Sequence, residues 1–385
     1  MRHLEHVDVL IVGSGPAGSA AALAALQQRP DARVVILDRA PLGRDKVCGD
    51  GIAPQAIAGL ATLGVDAVVP SELVPAVRLS IAGGGGTAAV TADPGAVVPR
   101  TVFDERLARA AIGAGAEFVQ ERVTSLVQDG DGVEVDGRWR AGVVIGADGA
   151  HSRVRRLTGT PGNRGRSLAI AVRGYAPTPT ARPHELLIRL DARRGGGLSY
   201  AWAFPLYDGT TNVGYGLSSD ASGGGRDALT RRLRELLPEY DLTGVQLTGH
   251  PLPLSTWTPR AAIGRVLLVG DAASLINPLT GEGIYSAIVS GALAGAAAAV
   301  EAATASTRYR RALARRYGRQ HRQLRLLMPL TGVPAVLDAV VRAGADEPAL
   351  FNRLLDVGLG EGVFRLRDAA ALLARIDPLR SALRP

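Results

Sequence analysis

Three short glycine-bearing motifs, in a fixed order, constrain this chain more than any other feature. Gly13-Ser14-Gly15-Pro16-Ala17-Gly18 lies near the start, Gly146-Ala147-Asp148-Gly149 in the middle, and Gly270-Asp271-Ala272-Ala273 late. Each follows an apolar run of the kind that makes a buried strand. Val7–Val12 reads as a strand, Pro16–Gln28 as a helix and Arg33–Leu37 as a second strand, which together make a βαβ opening. Pro16 stands at the helix start, where a missing N–H does no harm.

Gly13, Gly15 and Gly18 sit where a strand turns into a helix. Without a Cβ they permit a tight turn, close approach of backbone to a pyrophosphate, and close helix–strand packing. The helix N-terminus adds partial positive charge for phosphates. Asp38 follows about 20 residues later, at the end of the second strand, where a carboxylate binds ribose hydroxyls. That acid disfavours a 2′-phosphate, so NADPH is not the expected resident. The later motifs decide between NAD and FAD. Asp271, after the apolar Arg265–Val269 run, is placed to accept from a ribityl hydroxyl. Gly281 and Gly283 lie where the next helix begins, and their backbone N–H groups suit a flavin carbonyl. A plain helix N-cap is the competing reading of Asp271. The series as a whole predicts a flavoprotein holding FAD.

The expected fold is α/β: an FAD-binding Rossmann-like domain, an inserted antiparallel-sheet substrate domain, and a helical C-terminal region. Phe103–Ile112 and the segment after Gly51 read as helical, and short strands alternate from Gly115 to Ile145. Between Ser167 and Leu254 the strand-like runs Leu186–Leu190, Ser199–Phe204 and Asn212–Leu217 are bounded by Gly, Pro and Asp turns, which predicts the inserted sheet. From Gly281 to Arg380 the pattern is helical. The expected boundaries are 1–80, 95–166 and 255–305 for the FAD domain, 81–94 and 167–254 for the substrate domain, and 306–385 for the helical region.

Composition narrows the classes. Lys46 is the only lysine in a chain of net charge +8, and the arginines form no long block or nucleic-acid motif, so no nucleic-acid partner is expected. One cysteine, Cys48, excludes an intrachain disulfide and suits a reducing cytoplasm. The six histidines show no metal-ligand spacing, so no metal is expected. The longest apolar stretch, Ile284–Val300, is mostly Ala and Gly and reads as a buried helix rather than a membrane span.

The order of motifs, with Gly146-Ala-Asp-Gly-Ala-His-Ser-Arg-Val-Arg155 and the Pro278 to Gly283 turn, resembles the FAD enzymes related to para-hydroxybenzoate hydroxylase. Asp45-Lys-Val-Cys-Gly-Asp-Gly51, Tyr200-Ala-Trp-Ala-Phe-Pro205 and Asn277-Pro-Leu-Thr-Gly-Glu-Gly-Ile284 narrow the resemblance to the geranylgeranyl reductase family. It covers most of the chain and is weakest over about 155–195 and after 330. The resemblance implies that Gly13, Gly15, Ala17, Gly18, Asp38 and Arg39 surround the ADP part of FAD, with Val123 offering backbone to the adenine. It implies Arg100 near the phosphates, Cys48 and Gly49 along the flavin, and Asp271, Gly283 and Ile284 at the ribityl and pyrimidine edge. Asp148 would tie the FAD region to a region for pyridine nucleotide.

Tyr200, Trp202 and Phe204 alternate on a strand and share one face. The resemblance makes that face a wall of the substrate cavity, with an aromatic core as the competing reading. Cys48, Tyr200 and Trp202 are the candidate catalytic residues; a lone buried filler is the bland reading of Cys48. The implied activity is saturation of C=C bonds in an isoprenoid or similarly apolar substrate. NAD(P)H or another reduced carrier would supply the electrons. A monooxygenase or a halogenase on the same scaffold, or a non-catalytic carrier, remain alternatives. The Arg308–Met328 segment reads as an amphipathic surface helix, or as a peripheral contact with an anionic membrane. The protein is expected to be a monomer.

Overall fold

The apolar run before the first glycine motif forms the strand Glu5–Val12, whose last four residues are buried. Its parallel neighbours are Val34–Asp38 and Trp139–Gly146. Glu117–Gln120 extends the sheet on one side and Val266–Leu268 on the other, again in parallel. Strands covered on both faces read as unbroken Val, Ile and Leu, which is why Val34–Asp38, Val266–Leu268 and the buried half of Glu5–Val12 are legible as apolar runs, whereas the edge strand Glu117–Gln120 is only partly covered. The computed structural model describes residues 4–82, 86–180, 184–191, 199–218, 225–255 and 260–376, with the side chains of 86–92, 218 and 331–332 excepted.

The three motifs leave neighbouring strands at one edge of this sheet. The Gly13 N–H donates to Leu37 O at 2.7 Å, Ala147 N–H to Val12 O at 2.8 Å, and Val269 N–H to Gly146 O at 3.1 Å. The chain runs outward from Glu5–Val12 in one direction and later returns on its other side. Such a reversal opens a crevice at the carboxyl ends of the strands, the usual place for a ligand in an open parallel sheet.

Two glycine pairs explain the packing above that edge. Gly13 has φ +110, and a Cβ on it would overlap the carbonyl oxygen of Ala147; a Cβ on Gly18 would overlap Gly13 O. Farther along, Cβ atoms on Gly291 and Gly295 would overlap the carbonyl oxygens of Ala17 and Ala21. The Ala- and Gly-rich helix Ile284–Val300 therefore lies directly on the helix Pro16–Gln28. Among the described residues no single helix is long and apolar enough to cross a membrane.

The second sheet has the order Thr248–Pro253, Leu168–Pro177, Thr210–Ser218, Tyr200–Pro205, Leu186–Leu190, Leu73–Ile81, Gly86–Val97, Gly51–Ile52. It is antiparallel except where Leu186–Leu190 runs parallel to Leu73–Ile81. Leu73–Ile81 and Gly51–Ile52 each pair with Gly86–Val97 in this sheet, although residues 51–52 and 73–80 lie in the 1–80 stretch expected in the FAD domain. One face is covered by the helix Gly225–Leu236, whose Leu229, Leu233 and Leu236 pack on Val213 and Tyr215. The C-terminal helices Ala305–Leu327, Pro334–Asp346, Pro348–Leu359 and Leu366–Leu373 close the far end, where Leu337, Val341 and Phe351 meet Leu79, Ile81 and Leu190. Residues 377–380 of the expected helical segment lie outside the described residues.

Candidate active site

A cavity of about 840 Å³ lies between the edge of the parallel sheet, the second sheet and the C-terminal helices. Its size is that of a site for a small molecule or cofactor. Of the candidate residues, Cys48, Gly49, Arg100, Tyr200, Trp202, Asp271, Gly283 and Ile284 line it. Pro16, at the start of the glycine-turn helix, lines it too. Gly13, Gly15, Ala17, Gly18, Asp38, Arg39, Val123 and Asp148 lie off its wall, around the glycine turn and the adjoining strand ends.

The glycine turn is braced for an anionic ligand. Asp38 is buried and accepts from Ser14 N–H and Ser14 Oγ, both at 2.8 Å, and from Ala40 N–H at 3.0 Å. These bonds tie the end of the second strand to the glycine turn. Arg39, the next residue, is exposed, whereas Val123 is buried in the core on the other face of the sheet. Asp148 turns back on its own loop: it accepts from Ser152 Oγ at 2.5 Å, Arg153 N–H at 2.5 Å and Val154 N–H at 3.0 Å. Burial still raises its pKa, with those donors pulling the other way.

Arg100 is nearly inaccessible and forks onto Asp104 at 2.6 and 2.8 Å. A Cβ on Gly15 would lie 3.7 Å from Asp104 Oδ2, so this ion pair backs the glycine turn. Burial opposes the guanidinium charge, but Asp104 and the Cys48 side chain, which accepts a hydrogen bond from Arg100, more than offset it. Arg100 therefore stays a fixed cation beside Cys48. Tyr200 is also next to Cys48; burial, then Cys48 and Glu282, raise its pKa, so it stays a neutral hydroxyl that donates to Thr280 O. The rings of Tyr200 and Trp202 are 6.0 Å apart, and Phe204 joins them on the same cavity wall.

Asn212, which the sequence reading treated only as part of a strand, holds this wall against the Cys48 loop. Its Oδ1 accepts from Trp202 Nε1 at 2.9 Å, and its Nδ2 donates to Cys48 O at 2.9 Å and to Asp50 Oδ2 at 2.8 Å. Asp50 is fully buried at φ +61 and also accepts from Tyr175 Oη at 2.5 Å. Beside the loop Arg173 holds Asp45 at 2.7 Å. A polar Asn in a strand buried on both faces was the one available signal.

On the same cavity wall Lys46 Nζ meets Asp271 Oδ2 at 2.8 Å. Burial resists the Asp271 charge, and Lys46 outweighs it, so the carboxylate stays ionised. His250 lies opposite His151, ring centroids 5.7 Å apart. Burial and the nearby Lys46 push its pKa down to about 4, leaving a neutral imidazole whose Nε2 has no partner among the described residues. A buried carboxylate on the wall, a partnerless ring nitrogen in the cavity, and a helix N-terminus behind a bare glycine turn suit a polyhydroxylated, anionic cofactor such as FAD.

Glu282, between Gly281 and Gly283, accepts from Tyr285 N–H at 2.6 Å at the start of its helix. Burial raises its pKa to about 7, against the pull of the backbone donors of Tyr285 and Ile284. A carboxyl whose pKa is raised on folding stabilises the folded state below its unfolded value near 4.5. That contribution, on the order of 3 kcal/mol, fades as pH rises through about 7. His250 and His321, each lowered to about 4 by burial, act in the opposite sense between about 4 and 6.5. The stability of Glu282→Gln relative to the native protein is therefore expected to rise between pH 4.5 and 8, read by denaturant unfolding at each pH. A pH-independent difference would show that the Glu282 carboxyl is not held neutral.

Comparison with known proteins agrees with this geometry. The family described as FAD binding domain matches residues 6–310. The menaquinone reductase of Mycobacterium tuberculosis is 33% identical over 379 residues, covering 90% of each chain. Digeranylgeranylglycerophospholipid reductase 1 of Methanopyrus kandleri is 34% identical over 304 residues, 75% of this chain and 79% of that one. A geranylgeranyl bacteriochlorophyll reductase-like protein from Thermoplasma acidophilum shares the fold at a TM-score of 0.77, with 24% identity, covering 97% of this chain and 96% of that one. A flavin-dependent brominase shares it at 0.71, with 18% identity, covering 96% of this chain and 98% of that one. Three motifs at one sheet edge, a cavity in front of them and these relatives together make the chain a member of the FAD-binding-domain family, in its geranylgeranyl reductase-like group of FAD-dependent oxidoreductases.

Proposed function

We propose that the protein saturates C=C bonds of an isoprenoid or similarly apolar substrate. The observation that carries this reading is the continuity of the cavity. It runs from Asp271, Gly283 and Cys48 into a space walled by Leu79, Ile188, Leu252, Leu337 and Phe351. Few polar side chains interrupt that wall, so a long hydrocarbon fills it at little desolvation cost. Both curated relatives described above are reductases of apolar compounds by name.

When bound and reduced, FAD supplies a hydride to one alkene carbon and is itself oxidised. In this reading the Gly13–Gly18 turn takes the pyrophosphate, Asp38 the ribose, Asp271 the ribityl chain, and the Gly283 and Ile284 backbone the flavin edge. Val123 backbone and Arg39 flank the adenine. Tyr200 and Trp202 press the substrate alkene into place and exclude water. The Cys48 thiol, held beside Arg100, passes a proton to the second alkene carbon and is reprotonated from water once the product has left and the cavity is open again. Asp148 fixes the turn that follows the middle strand. NAD(P)H or another reduced carrier restores the cofactor.

The test is to reduce the protein without air and mix it with polyprenyl alkenes. Reoxidation under nitrogen is the expected result. Reoxidation only after oxygen is admitted would overturn the reading, and a hydroxylated product formed at that point would favour a monooxygenase.

A further inference from the structure

The 23-residue helix Ala305–Leu327 contains eight arginines and no acidic residue. Its buried side, Tyr309, Tyr317, Gln320 and Leu324, faces the protein. On the other side Arg308, Arg311, Arg315, Arg319, Arg322 and Leu326 recur at helical spacing, and all six are exposed. Arg308 has a partner in Glu301, at 3.9 Å. Arg311, Arg315, Arg319 and Arg322 have no carboxylate partner among the described residues. Arg316, on the same helix, pairs with Glu361; the four unpaired arginines of the stripe make a field for anions.

The stripe ends on apolar side chains that water does not favour. Leu326 is 77% exposed, Leu366 92% and Leu373 65%, and Leu330 is also exposed. Leu366 and Leu373 stand two turns apart on one side of their helix, and Arg365 and Arg367 flank the first of them. Leu330 and Leu373 also line the cavity. Residues that are at once exposed and cavity-lining mark a mouth, so the apolar cavity opens among these leucines.

We propose that this face docks on an anionic phospholipid bilayer, with the arginine stripe on the headgroups and the leucine rim in the acyl boundary, so that the cavity mouth opens into lipid. A patch that joins basic charge to an apolar rim matches a bilayer surface in both respects. A nucleic acid would use the charge and leave the leucines in water. The passage of substrate from lipid to cavity rests on the apolar-substrate reading above; the docking surface does not.

Co-sedimentation with vesicles tests it without substrate. The protein is expected to bind phosphatidylcholine vesicles containing phosphatidylglycerol, to bind pure phosphatidylcholine weakly, and to be released by salt. Arg315→Glu with Arg319→Glu and Arg322→Glu is expected to lower vesicle affinity by more than tenfold. Leu326→Glu with Leu366→Glu is expected to lower it several-fold even at low salt. None of these five side chains lines the cavity, so circular dichroism and bound flavin absorbance are expected to stay native. Equal binding to both vesicle types, or full binding by either variant, would overturn the proposal. So would an arginine-dependent affinity for RNA that the leucine substitutions leave intact while vesicles are not bound, or a leucine-dependent dimer that does not bind vesicles. A protein that fails on vesicles yet is reoxidised by a detergent-solubilised polyprenyl alkene would refute the docking surface and leave the proposed reaction standing.

Discussion

Asp271→Ala is expected to weaken FAD binding by roughly ten- to a hundredfold, the range of one lost hydrogen bond to a charged group. Asp271 is the second residue of the third motif, is 8% exposed, and lines the cavity. Removing it takes away the carboxylate assigned to the ribityl chain and strips Lys46 of its partner at 2.8 Å. The two losses are separable. Asp271→Asn keeps an acceptor while removing the charge, so its FAD affinity should fall between those of the native protein and the Ala variant. Titration of the apoprotein with FAD, followed by flavin fluorescence, reads both. Unchanged affinity in Asp271→Ala would move the ribityl site elsewhere and return Asp271 to the role of a helix cap.

Asn212→Ala is expected to destabilise the protein by about 2–4 kcal/mol, a large cost for one surface-remote side chain. The reason is that Asn212 satisfies three groups at once. Without it Trp202 Nε1, 6% exposed as a residue, loses its acceptor, and Cys48 O loses its donor. Asp50 Oδ2 keeps Tyr175 and loses its amide partner, while Asp50 Oδ1 already lacks one. Burial already raises the pKa of Asp50, and the lost amide raises it further. Urea unfolding measures the cost, and tryptophan emission reports whether the Trp202 ring has shifted. Asp208→Ala, in an exposed hairpin turn, serves as a control expected to change stability by less than about 1 kcal/mol. A loss that small for Asn212→Ala would mean that water replaces the amide and that the Cys48 loop is held by other contacts.

These two residues also show what a sequence reveals and what it hides. Asp271 was legible because its strand, turn and helix are local, and its neighbours in the chain carry the pattern. The same holds for Pro16–Gln28, found with the bounds expected, and for Leu186–Leu190. Tyr200, Trp202 and Phe204 were legible as one face because a strand alternates. Asn212 was not, because its partners Cys48 and Asp50 lie 164 and 162 residues away. The Lys46–Asp271 pair spans 225 residues and was hidden for the same reason. The parallel pairing of Leu73–Ile81 with Leu186–Leu190 joins segments that carry no mutual signal. Periodicity records which side of an element is apolar; it does not record what the polar exceptions meet.

The helix pair Pro16–Gln28 and Ile284–Val300 shows a partial case. The Ala and Gly content marked the second helix as buried, but its partner could not be read. The overlap that a Cβ at Gly291 or Gly295 would make with Ala17 and Ala21 supplies the reason for that composition. It also links function to packing, since one helix begins at the glycine turn and the other at the Gly283 edge. In the proposed arrangement their close approach sets the distance between the two ends of the cofactor site.

The most direct test of the central claim is the mass of the product. Reduced protein is mixed once with a polyprenyl alkene under nitrogen, and the product is compared with the starting material by mass spectrometry. The account predicts a gain of two hydrogens per reduced double bond, without oxygen in the reaction. A product that forms only in air and carries an added oxygen atom, or no product under nitrogen while the flavin stays reduced, would contradict it.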